Sequence, residues 1–277
     1  MDFLDVRGKK FMVFGVANRK SVAFHIAETL RGNGAETVFS VLLEEHAAFC
    51  AKRFPDAAVH LCDLSKESDI AELAEKRKEA GEELDGIVHS VAFANFADGA
   101  KPFHYTKKED FLHSVDVSCY SLINIAREFR PILRQNSSIV TISISTTGMA
   151  AQSYGYMAPV KAALDSSVKF LAKSLGGANG VRVNAVGASL LKTSSSAGIP
   201  GYVEPYIFAE KATIRKKALE TQEAADVAAF LLSPKSSGIN AQTLVVDAGM
   251  SVNYFDDEIV KPTVNAATGV ERRAKAP

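Results

Sequence analysis

Lys10-Phe-Met-Val-Phe14, Gly15-Val-Ala-Asn-Arg-Lys-Ser21 and Val22-Ala-Phe-His-Ile-Ala-Glu-Thr-Leu30 follow one another without a break near the N-terminus. The first segment is a short apolar run between charge and glycine, the pattern of a strand buried on both faces. The third carries apolar residues at helical spacing up to Gly32 and Gly34. The order is therefore strand, glycine turn, helix. A glycine at such a turn lets backbone approach a ligand, and the open N–H groups of the following helix favour an anion such as a pyrophosphate. Only Gly15 of a G-x-G-x-x-G fingerprint is present, so the turn reads equally as a phosphate site and as a plain connection. Ser21 either donates a hydroxyl to that ligand or caps the helix.

Working outward, the alternation continues. Apolar runs at 37–43, 58–62, 84–90, 139–143, 180–186 and 243–247 read as further strands. Helical patterns at 47–54, 70–81, 107–133, 154–175 and 222–232 separate most of them. Strands that are near-continuous apolar runs alternating with helices predict an α/β protein: a doubly wound parallel sheet of about seven strands with helices on both faces. No Pro/Ser-rich linker divides the 277 residues, so one domain is expected over 1–255. Residues 190–219 begin rich in Ser, Ala and Gly and then mix aromatics with charge, without clean periodicity. Following a strand end, this predicts a lid over an apolar substrate. The tail 256–277 is expected to be extended or disordered.

Composition narrows the partners. Lysine plus arginine equals aspartate plus glutamate at 32 each, so no excess positive charge is available to neutralise a nucleic-acid backbone. The N-terminus lacks the apolar core of a signal peptide, and no run approaches the roughly 20 apolar residues of a membrane span. A cytoplasmic protein without a membrane partner is expected. Cys50, Cys62 and Cys119 are odd in number and scattered, which reads as buried reduced thiols. The six histidines lack the mutual spacing with acids that a metal site needs, so no metal is expected.

The candidate chemistry centres on Tyr154 and Lys161, seven positions apart on what reads as the opening of a helix. Seven residues are nearly two turns, so both side chains would leave one face about 10 Å apart along the axis. A phenol has a pKa near 10, and a nearby ammonium favours its phenolate, so the pair suits proton transfer beside a nucleotide cofactor. At the end of the second strand, Glu44 and Glu45 disfavour a 2′-phosphate and lean towards NAD, against Arg19 and Lys20 nearby. Asp63, at the third strand's end, either accepts from the adenine amine or caps the next helix. Ser90-Val-Ala-Phe-Ala94 puts mostly small residues at the fourth strand's exit, leaving room for a flat ring.

Gly15-x5-Ser21-Val-Ala23, His89-Ser-Val-Ala-Phe-Ala94, Ser118-Cys-Tyr-Ser121, Tyr154-x6-Lys161, Val181-Arg-Val-Asn184 and Val246-Asp-Ala-Gly249 together resemble the enoyl-acyl-carrier-protein reductases, a branch of the short-chain dehydrogenases. The resemblance covers residues 5–255 and implies a Rossmann-type fold, a homotetramer, and reduction of a trans-2-enoyl thioester on acyl carrier protein or coenzyme A. The implied reductant is NADH or NADPH, and Glu44 and Glu45 lean the choice towards NADH. By the same resemblance, Gly15, Ser21 and Val22 hold the pyrophosphate, Asp63 and Leu64 the adenine, and Ser90, Val91 and Ala92 the ribose and nicotinamide. Lys161 binds the nicotinamide ribose, Leu191 and Thr193 complete the cofactor site, and Tyr154 bonds the thioester carbonyl. Phe93, Tyr156, Met157 and Tyr202 are implied to contact substrate. Three positions depart from the family pattern. Ile144 stands where relatives carry an aromatic ring, Ser189-Leu190 replaces a Gly-Pro pair, and Leu42 replaces a glutamine. Two alternatives follow: a carbonyl reductase of the same superfamily, acting on a 3-oxoacyl or other ketone, and a nucleotide-binding paralogue with little activity.

Overall fold

The structure, a computed structural model, describes residues 3–99, 101–151 and 155–268. Seven strands form one parallel sheet: β1 (Lys10–Phe14), β2 (Glu36–Val41), β3 (Val59–Leu61), β4 (Leu84–His89), β5 (Leu133–Ile144), β6 (Arg182–Ala188) and β7 (Thr243–Val246). Their order across the sheet is β3-β2-β1-β4-β5-β6-β7. The chain therefore runs outward from β1 to β3, crosses back to β4 and runs outward the other way, which makes the β1/β4 seam a switch point. The helices are α1 (Val22–Gly32), α2 (Glu44–Arg53), α3 (Glu67–Glu79), α4 (Lys108–Val115), α5 (Ser121–Phe129), α6 (Met157–Asn179), α7 (Ser194–Ala197), α8 (Val203–Ala212), α9 (Thr221–Leu232) and α10 (Asp257–Thr268).

Strand alternation builds two cores, one on each face of the sheet. Met12, Phe14, Ile87 and Ile139 face α5 and α6, where Leu122, Ile125, Val160 and Leu164 meet them. Phe11, Val13, Val88 and Val140 face the other way, against Ile26 and Leu30 of α1 and Leu231 of α9. Burial on both faces is why these strands read as continuous apolar runs.

Three elements differ from the sequence reading. The single helix expected at 107–133 is interrupted by a π-helical turn, Asp116–Tyr120, between α4 and α5. Seryl side chains accompany the break: Ser114 and Ser118 bond the backbone of Phe93, and Ser121 donates to the Val117 carbonyl at 2.7 Å. The strand expected at 139–143 begins earlier, at Leu133, with a register irregularity opposite Leu84 and Gly86. The tail expected to be extended or disordered over 256–277 forms α10 at its start, because Ile259 and Val260 pack beside α8 and tertiary burial supplies what local pattern lacks. Residues 269–277 lie outside the described residues.

Candidate active site

At the carboxyl ends of β1, β4, β5 and β6 lies a cavity of about 1000 Å³, with Gly15, Ser90, Ile144 and Ser189 contributed by the four strand ends. Ligands of doubly wound sheets bind at this place because the connections leave the switch point in opposite directions and open a crevice. Its size is at the top of the usual range for small-molecule sites, about 300–1000 Å³.

Gly15 closes β1 with φ +102°, and a Cβ there would stand 2.2 Å from the Ser90 carbonyl oxygen. The glycine is thus demanded by the close approach of β1 and β4, apart from any ligand. Ser21 lines the cavity from the N-cap position of α1. Its Oγ accepts from the Ala17 and Asn18 N–H groups at 3.1 Å each, so it shapes the turn and makes no side-chain cap on α1. Val22 opens α1, whose first turn carries no acidic residue, leaving the positive end of the helix dipole uncompensated by its own side chains.

Past β3, Asp63 Oδ1 accepts from Ser65, at 3.0 Å from its N–H and 2.7 Å from its hydroxyl. Lys66, not Asp63, is the N-cap of α3, which corrects the helix-cap alternative. Leu64 packs in the core, and neither residue lines the cavity. Beyond β2 the chain presents exposed Leu42 and Leu43, then Glu44 and Glu45 in the first turn of α2.

Ser90, Val91, Ala92 and Phe93 line the cavity at the exit of β4. The backbone there is held from α4 and the π turn: the Phe93 N–H donates to Ser118 Oγ at 2.9 Å and the Ser114 hydroxyl donates to the Phe93 carbonyl at 2.7 Å. Lys161, in the second turn of α6 and 4% exposed, donates from Nζ to the Ile142 carbonyl at 2.8 Å. Burial pushes its ammonium down to about 8, against the opposing pull of Asp165 and Cys119. Beneath it, His89 is fully buried, its two ring nitrogens 2.8 Å from Thr141 Oγ1 and 2.9 Å from Ser121 Oγ. Burial first and the charge of Lys161 second push the imidazole down to about 3, so it is neutral.

Tyr154 lies outside the described residues. Gly155 has φ +61° and α6 begins only at Met157. The expected pairing of Tyr154 with Lys161 on one helical face therefore falls outside the described residues. Met157 lines the cavity. Tyr156 does not. Its phenol receives the Asn95 N–H at 2.9 Å and bonds the Asn95 carbonyl at 3.3 Å, and its ring meets Phe111 edge-on in the core. The expectation that Tyr156 contacts substrate is corrected accordingly, because the helix start turns it inward.

The roof comes from the segment after β6. Leu191 and Thr193 line the cavity, Thr193 capping α7 through a reciprocal box with Ser196. Tyr202, also lining it, donates its hydroxyl to the Leu191 carbonyl at 2.9 Å. Ser143, Phe208, Tyr254 and Ile259 also line the cavity, Phe208 from within the lid expected at 190–219. Ser143 is 2% exposed and its Oγ has no hydrogen-bond partner among the described residues. The two-residue step from Thr141 to Ser143 along β5 was the available signal, since both take the Lys161 side of the sheet.

The family described as Enoyl-(Acyl carrier protein) reductase matches residues 15–251 of this chain. The chain belongs to the enoyl-(acyl carrier protein) reductase family. Among relatives of this reductase chain, the enoyl-[acyl-carrier-protein] reductase [NADPH] FabI of Staphylococcus aureus (strain NCTC 8325 / PS 47) is 33% identical over 251 residues, covering 89% of this chain and 98% of the relative. The [NADH] FabI of Neisseria meningitidis serogroup B is 32% identical over 271 residues, covering 93% and 100%. The crystal structure of the NADH enzyme from Aquifex aeolicus VF5 superposes with a TM-score of 0.85 at 31% identity, covering 90% of this chain and 99% of that one. The Bacillus cereus reductase, solved with NADP+ and an indole naphthyridinone, gives 0.84 at 29% identity, covering 90% and 99%. Among the described residues of this reductase chain, no helix is long and apolar enough to cross a membrane, and no group of three His, Cys, Asp or Glu stands ready for a metal ion.

Proposed function

We propose that the protein reduces the 2,3 double bond of a trans-2-enoyl thioester with hydride from a nicotinamide cofactor. The observation that carries this reading is Lys161, an ammonium 4% exposed in the wall of a cavity at the sheet's switch point. The residues present suit a dinucleotide: a glycine turn and a helix opening without acidic side chains at one end of the cavity, and a buried cation further along the same crevice. In this reading Gly15, Ser21 and Val22 hold the pyrophosphate, Asp63 and Leu64 the adenine, and Ser90, Val91 and Ala92 the ribose and nicotinamide. Lys161 takes the ribose hydroxyls, and Leu191 and Thr193 close the site.

A reduced nicotinamide bound there supplies the hydride. The substrate β-carbon accepts it, and the electron pair of the double bond moves towards the thioester oxygen. Tyr154 is assigned to that oxygen. A donor there bonds the developing enolate more strongly than the ground-state carbonyl, which lowers the barrier. A proton added at the α-carbon completes the reduction. Phe93, Met157 and Tyr202 enclose the acyl group and exclude water, with residues 190–219 as the lid. Glu44 and Glu45, and the absence of basic side chains in Leu42-Leu43, favour NADH over NADPH.

The test follows nicotinamide absorbance with crotonyl and longer enoyl thioesters, on coenzyme A and on acyl carrier protein. Tyr154→Phe is expected to raise the barrier by about 2–4 kcal/mol, the scale of one lost oxyanion donor. An unchanged rate removes Tyr154 from the mechanism. A ketone is the second reading, favoured by the unpartnered Ser143 hydroxyl, a group suited to polarise a carbonyl. The same assay with a 3-oxoacyl thioester, in parent and Ser143→Ala, decides it. Three free, buried cysteines suit a reducing, cytoplasmic setting. Exposed Phe170 on α6 and Val245 on the edge strand suit a homotetramer.

A further inference from the structure

Past the proposed nicotinamide end, the cavity continues between α8 and the chain after β7. Phe208, Ala209 and Ala212 line it from α8, and Met250, Tyr254 and Ile259 from the C-terminal side. Ala209, Ala212 and Met250 form a small apolar cluster apart from the two sheet cores, with Leu190 and Ile259 packed on it. Polar contacts fix the C-terminal side to the lid. Asn253 Nδ2 donates to the Ala212 carbonyl at 2.8 Å, closing the end of α8, and to Asp256 Oδ2 at 2.9 Å. Asp256 is ion-paired with Lys216, whose Nζ also donates to the Lys211 carbonyl at 2.9 Å. Further back, the Ile214 N–H donates to the Ala248 carbonyl at 3.0 Å. Segment 248–256 and the 212–216 turn are thus bonded to each other at several points, and α10 follows beside α8.

We propose that this C-terminal segment is the far wall of the acyl site, and that the Lys216–Asp256–Asn253 latch sets which acyl chain length the protein takes. The inference rests on the thioester reading and names its substrate class: acyl groups long enough to reach from the nicotinamide end to Ile259. Tyr254, 88% exposed while lining the cavity, stands where the chain end meets solvent. Each methylene buried against this wall is worth about fourfold in kcat/KM, the transfer value of one CH₂.

The experiment measures kcat/KM for enoyl thioesters of increasing length in the parent, Asp256→Ala, Lys216→Met and Ile259→Trp. Displacement of a fluorescent fatty acid by saturated fatty acids of the same lengths serves as a binding readout independent of turnover. In the parent the long-to-short ratio climbs with each methylene. It falls at least tenfold when the latch is cut, and Ile259→Trp shifts the preferred length downward, with circular dichroism checking each fold. Identical length ratios in folded parent and variants, in turnover and in displacement, overturn the wall. If no thioester oxidises NADH yet displacement still shifts with the variants, the thioester reading falls and the wall stands.

Discussion

Lys161 is the residue on which stability and function pull in opposite directions. Burial lowers its ammonium from 10.5 to about 8. Below pH 8 both folded and unfolded chains carry the proton, and the desolvation penalty is fully present. Between pH 8 and 10.5 the unfolded chain binds more protons, so stability rises with pH across that window. The full effect is about 3 kcal/mol. In urea unfolding of the cofactor-free protein, the parent-minus-Lys161→Met difference is expected to grow in favour of the parent from pH 8 to 10. A flat difference would mean that the lysine is solvated. Gly15 sets a second test at this scale. Gly15→Ala combines φ +102° with a Cβ 2.2 Å from a carbonyl oxygen and is expected to cost about 2–3 kcal/mol in the same unfolding measurement.

Among the elements, the π turn at Asp116–Tyr120 holds the loop at the exit of β4. Ser118, fully buried, receives the Phe93 N–H, so Ser118→Ala is expected to cost about 1–2 kcal/mol and to raise the substrate KM several-fold more than that of the cofactor. Equal changes in both constants, read by steady-state kinetics, would separate the loop from the acyl site. The same turn explains where sequence reading fails. Apolar spacing persists on either side of an interruption, so 107–133 looks like one helix although Ser114, Ser118 and Ser121 divert it. The strands were legible because Phe11, Val13, Val88 and Val140 are apolar on whichever face they take. Ser90 was legible as a cavity residue because it follows the end of β4, whereas Thr193, at the cap of α7, came from the resemblance alone. Tyr156 was carried over from the resemblance, and its ring instead packs in the core with its phenol on Asn95. α10 was missed because Ile259 and Val260 are too few to signal a helix without α8 beside them.

Across the whole molecule, two exposed apolar positions carry an assembly prediction. Phe170 is 76% exposed on α6 and Val245 is 54% exposed on β7. Substituting both with glutamate is expected to lower the mass seen by light scattering from a tetramer to smaller species, while a parent already monomeric would remove the assembly. The strand order has a consequence for how the molecule is made. β1 lies inside the sheet, yet its partner on one side, β4, pairs Phe14 with His89 from 75 residues downstream. A nascent chain leaving the ribosome presents β1, β2 and β3 with the β1 border, apolar from Phe11 to Phe14, bare until β4 has emerged, and any pause in translation before that point offers the border to a neighbouring polypeptide.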